Sequence, residues 1–157
     1  MDRIGKRGEV LFRVKITKWC DGKQWFDERF LDAKAEALDF EVTLLDSAVF
    51  QANFFVQVRA TATRTRYAGT GRNRKLLVRL KRADAAKIGT MKVPAYVVGV
   101  DVHSEKAYIR HVPAGTTKRF RGIPTRRPLN CRTIKKLWAE GEQFWKTRPE
   151  GLTTSGI

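Results

Sequence analysis

Cysteine is scarce in this chain: Cys20 and Cys131 are the only two in 157 residues. They stand far apart in sequence, in no C-x-x-C pair and beside no histidine, which argues against structural zinc and points to a reducing cytoplasm. Histidine is as rare, with only His103 and His111. Neither has a partner nearby in sequence, and structural roles suit both. No apolar run approaches the ~20 residues needed to cross a bilayer, so a membrane partner is not expected. Charges interrupt Met1 to Lys18 throughout, and no secretory leader is expected there. Acidic residues are missing from one long stretch, where residues 59–93 hold eleven Lys/Arg and the single acid Asp84.

The cations make the composition informative. The net charge is +16, yet residues 1–58 carry nine Lys/Arg against ten Asp/Glu. A near-neutral first part is thus joined to a strongly basic remainder. Such a surface points to a polyanionic partner, nucleic acid before membrane. The length suits one domain over residues 1–148, with a loose tail over 149–157.

Ile4, Gly8, Leu11, Phe12, Ile16 and Trp19 recur at three- and four-residue spacing. They predict an amphipathic helix over roughly residues 3–20, capped by Asp2, with Glu9 at the edge of its buried stripe. Residues 23–37 read as a loop or a short helical piece. Leu38–Leu45 and Asn53–Thr61 read as paired antiparallel strands. Period-two alternation puts Phe55, Gln57, Arg59 and Thr61 on one face and Val56, Val58 and Ala60 on the core face. Asp39 and Glu41 lie opposite Phe40, Val42 and Leu44 in the same way. Residues 62–75 read as a mobile basic loop and 113–129 as a second exposed one. Between them come short strands near 76–80, 94–102 and 106–112 and a short helix at 83–88. A last helix begins at the cap Asn130, with Ile134, Leu137, Trp138 and Trp145 along one side. This order implies an α/β fold with a mixed sheet.

Gly5-Lys6-Arg7-Gly8-Glu9 on the first helix, Leu38-Asp39-Phe40-Glu41-Val42, Phe55-Val56-Gln57-Val58-Arg59-Ala60-Thr61 and the later Pro94-Ala95-Tyr96-Val97-Val98 form an ordered set. Together they resemble the PD-(D/E)XK nuclease superfamily, and within it the bacterial domain-of-unknown-function family numbered 4365. The resemblance implies a restriction-endonuclease-like mixed β-sheet flanked by helices. It also implies a site of Glu9, Asp39, Gln57 and Arg59, in which the first three would hold Mg²⁺ or Mn²⁺. Hard oxygen ligands of this kind suit those cations. The family carries Lys where this chain has Arg59. A guanidinium can hold phosphate but cannot act as a base.

The basic loops supply the expected nucleic-acid contacts: Arg64, Arg66, Tyr67, Arg72, Arg74 and Lys75 in the first, Lys118, Arg119, Arg121, Arg126 and Arg127 in the second. Arginines and lysines would bind phosphate, and a tyrosine among them could stack on a base or sugar. The resulting expectation is a cytoplasmic nucleic-acid-binding protein, DNA favoured over RNA, with room for a protein partner or a homodimer. It would be a Mg-dependent DNA endonuclease of bacterial defence, a catalytically impaired binding subunit of a larger complex, or an unrelated basic RNA-binding protein.

Overall fold

The computed structural model describes residues 2–31, 38–116 and 120–148. Helix α1 (Arg3–Ile16) begins where the Asp2 carboxylate accepts the Gly5 N–H. It stops about four residues earlier than its periodicity suggests. Trp19 then enters a two-residue strand, β1 (Trp19–Cys20), which pairs with β2 (Lys23–Gln24). Trp19 is consequently 67% exposed and does not belong to the buried stripe.

The central sheet has five strands in the order β3 (Phe26–Phe30), β4 (Phe40–Leu44), β5 (Asn53–Thr61), β8 (Ala95–Asp101) and β9 (Lys106–His111). Only β5 and β8 run parallel, so the sheet is mixed. Strand β3 replaces the loop or helical piece expected over residues 23–37. Its backbone pairs residue for residue with β4, and Phe26 reaches the core in doing so. Residues 32–37 lie outside the described residues.

Both sheet faces are covered. On one, Phe12 and Ile16 of α1 and Ile134 and Leu137 of α3 (Cys131–Lys146) pack on Phe40, Phe54, Val56 and Val98. Gly8 allows this approach, because a Cβ there would stand 2.6 Å from the Ala60 Cβ. The other face is covered by α2 (Arg82–Gly89) and a second sheet in the order β10 (Phe120–Pro124), β7 (Lys75–Leu80), β6 (Tyr67–Ala68). Leu76, Val78, Leu80, Ile88 and Ile123 meet Val97 there. The mixed α/β architecture, a five-stranded sheet flanked by helices, agrees with the expected fold class.

Parts of the two supposed basic loops are strands, and they flank the strand expected at 76–80. Residues 67–68 and 75–80 join the second sheet, as do residues 120–124. Alternation explains β7: Leu76, Val78 and Leu80 are buried while Lys75, Leu77 and Arg79 face outward. The cysteines are also corrected. Cys20 and Cys131 form a disulfide, with their Cα atoms 5.5 Å apart, tying the β1–β2 hairpin to the start of α3. Cysteine spacing consequently no longer indicates a reducing compartment. Among the described residues no helix is long and apolar enough to cross a membrane.

Candidate nucleic-acid interface and acidic cleft

Glu9 and Asp39 reach one cleft of about 420 Å³, the former from α1 and the latter from the residue before β4. Val58, Arg59 and residues 60–63 complete its wall. Asp39 is held in place by the Val58 N–H, which donates to its carboxylate at 2.7 Å. Burial raises the Asp39 pKa, against the opposing pull of that N–H and of Arg59. Burial also raises the Glu9 pKa, and the neighbouring Asp39 carboxylate adds to the shift. Two carboxyls that resist ionisation in one cleft form a site that a cation would relieve.

The other two residues of the expected set sit differently. Gln57 is 5% exposed, pairs with Val97 across the parallel β5–β8 ladder and is not among the residues lining the cleft. Arg59 lines the cleft, and its guanidinium pairs with Asp84 of α2 at 3.1 Å. Glu41 is occupied by Arg29 and Asn53. Among the described residues no three His, Cys, Asp or Glu side chains cluster as metal ligands.

The basic residues sort into two kinds. Arg66 and Tyr67 turn inward: the Arg66 Nε and the Tyr67 hydroxyl both donate at 2.8 Å to Asp101, which is fully buried. Burial opposes the charged form of Asp101, but these bonds and those from Ser104 hold its carboxyl far below the usual range. The same buried network pushes the Tyr67 hydroxyl well above its ordinary value. Arg66 and Tyr67 thus have a structural employment that the loop reading did not foresee. Arg64 is exposed, beyond this network. Lys118 and Arg119 lie outside the described residues, and Arg121 is exposed on β10.

Most of the remaining cations converge, Arg74 excepted. Arg72, Lys75, Arg126 and Arg127, nominated from separate segments, line a single groove of about 440 Å³. Arg110 and His111 of β9 line it too. Sequence reasoning missed this pair because an alternating strand reads as structural until the segments packed beside it are known. Arg110 donates to the Gly122 carbonyl at 3.0 Å, which fixes β9 to β10. Burial lowers the His111 pKa, and Glu140 partly offsets this. Arg127 reaches Glu140 at 3.2 Å. The groove is thus mostly cationic, with one acid at its margin.

Compared with known protein families, characterised proteins and solved structures, the chain finds no match in any of the three.

Proposed function

We propose that this protein binds nucleic acid through the groove lined by Arg72, Lys75, Arg110, Arg126 and Arg127, and that Glu9 and Asp39 form a PD-(D/E)XK-like cleft. The carrying observation is that cations from three separate chain segments share one groove. Phosphate backbones are bound chiefly by such cations, whatever the base sequence. Glu9 and Asp39 supply hard oxygen donors whose charged forms are disfavoured without a counter-cation, which fits Mg²⁺ or Mn²⁺. When bound, a divalent ion supplies Lewis-acid activation of a phosphodiester and a more acidic water. In this chain Glu9 and Asp39 would hold it, and Arg59 would present positive charge to the phosphate.

The Arg59–Asp84 pair favours binding with weakened hydrolysis over an efficient nuclease, because Asp84 neutralises the cation at the position where the family keeps lysine. The test incubates the purified protein with labelled duplex DNA, single-stranded DNA and RNA, with Mg²⁺, Mn²⁺ or EDTA. Binding should persist in EDTA and fall steeply with salt. The triple variant Arg72→Gln/Lys75→Gln/Arg126→Gln should flatten the slope of log affinity against log salt by roughly three for duplex DNA. Absence of salt-dependent binding would overturn the interface. Cleavage that survives both EDTA and Asp39→Ala would overturn the cleft.

A further inference from the structure

Lys75 and Pro124 are paired where β7 begins and β10 ends, and the chain on either side continues as a ridge. The Thr125 N–H and hydroxyl both donate to the Arg74 carbonyl, at 3.1 and 3.3 Å, extending the pairing by one residue. The ridge then runs beside β9. The Ile109 N–H donates to Arg127, the Leu129 N–H donates to Ala107, and Pro128 bridges Tyr108. Side chains of an extended pair alternate between faces. Lys75, Pro124 and Arg126 accordingly open on the groove already described, whereas Arg74 and Thr125 open on a second one, which Pro128 also lines. That second hollow, of about 350 Å³, is also lined by Lys15 of α1 and Lys106 of β9.

Lys15, Arg74 and Lys106 have no carboxylate within salt-bridge distance among the described residues, whereas Arg7, Arg13, Lys135 and Lys146 each have one. Arg74 is held instead by its guanidinium, 4.0 Å above the Tyr67 ring. The folded chain therefore brings three cations together without compensating them. Their mutual repulsion is relieved by a bound polyanion. Along β9, Lys106 and Arg110 share a face and flank Tyr108, which lies beneath the ridge. Four strand residues span about 13 Å. That is close to the ~12 Å width of the B-form major groove, which admits a two-stranded β-ribbon.

We propose that Lys15, Arg74 and Lys106 form a second phosphate site and that a DNA duplex straddles the ridge, one backbone in each hollow. This inference rests on the nucleic-acid reading above and extends it from one groove to two. A single strand fills one hollow and leaves the other empty, so the second site matters for duplex only.

The test measures binding of the full chain to a 20-base-pair duplex and to a 20-nucleotide single strand of ~20 thymidines, by fluorescence anisotropy across a salt series. Lys15→Gln/Lys106→Gln should lower the duplex slope by about two while leaving the single-strand slope unchanged. Lys18→Gln/Lys136→Gln, with the same charge loss away from both hollows, is the control and should alter neither slope. Circular dichroism melting confirms that the variants fold, since all four side chains are exposed or half-buried. A duplex slope unchanged in Lys15→Gln/Lys106→Gln, with wild-type binding intact, would overturn the second site and leave the first groove standing. Equal losses for duplex and single strand would also overturn it. If the wild type binds neither ligand, both readings fall.

Discussion

Asp39 shows how a single carboxyl can be legible in its position and yet unexpected in its energetics. Its place before β4 follows from the alternation of Phe40, Val42 and Leu44. Its partner, the Val58 N–H, depends on how β4 meets β5. Because burial raises its pKa in the fold, the folded state binds more protons than the unfolded state above the ordinary carboxylate range. Stability is then lost as pH rises from the ordinary carboxylate pKa through the raised one. Asp39→Asn keeps an acceptor for Val58 while removing the charge. It should raise Tm at pH 7.5 in EDTA by about 2 °C, a gain that shrinks towards pH 4. Mg²⁺ should raise the wild-type Tm and leave that of the variant unchanged. A lower Tm for Asp39→Asn in EDTA would mean that Val58 and Arg59 outweigh burial.

At the scale of elements, α1 places Glu9 only because Gly8 lets the helix sit on β5. Alanine ordinarily improves a helix by about 1 kcal/mol over glycine. At Gly8 the added Cβ would meet Ala60 at 2.6 Å, and overpacking costs roughly 1–3 kcal/mol. The contact should win, so Gly8→Ala lowers Tm by about 2–6 °C in thermal melts. Gly8→Ala/Ala60→Gly should recover part of the loss, a coupling that independent sites would not show. A rise in Tm for the single variant would mean that α1 sits farther from β5. The sequence marked the helix and the strand, but it could not show that these two small residues touch. Their contact lies between segments about fifty positions apart.

For the whole molecule, the Cys20–Cys131 bond encloses most of the chain, its ends 111 positions apart. Cross-linking a loop of this order removes unfolded-state entropy worth about 4–5 kcal/mol at most. Reduction, or Cys20→Ser/Cys131→Ser, should therefore lower Tm by about 5 °C or more. Thiol titration of the unreduced, unfolded protein should find no free thiol. Free thiols in that assay, or an unchanged Tm on reduction, would contradict the bond. Widely spaced cysteines read as solitary because sequence distance says nothing of where β1 and α3 meet.

By itself the sequence determined what local physics controls. The alternation of β4 and β5, the caps Asp2 and Asn130, the apolar run of β8 and the basic character from Arg59 onward were all readable. Each depends on near neighbours or on composition. The tertiary structure decided which of the basic residues remain available. Arg66 and Arg59 are drawn to Asp101 and Asp84, while Arg72, Lys75 and Arg126 gather in one groove with Arg110 of a distant strand. It also decided that Gln57 would be buried rather than line the cleft that Glu9 and Asp39 share. The physical reason is common to these cases. A charge or amide is assigned its partner by long-range packing of sheets and helices, which no spacing along the chain encodes.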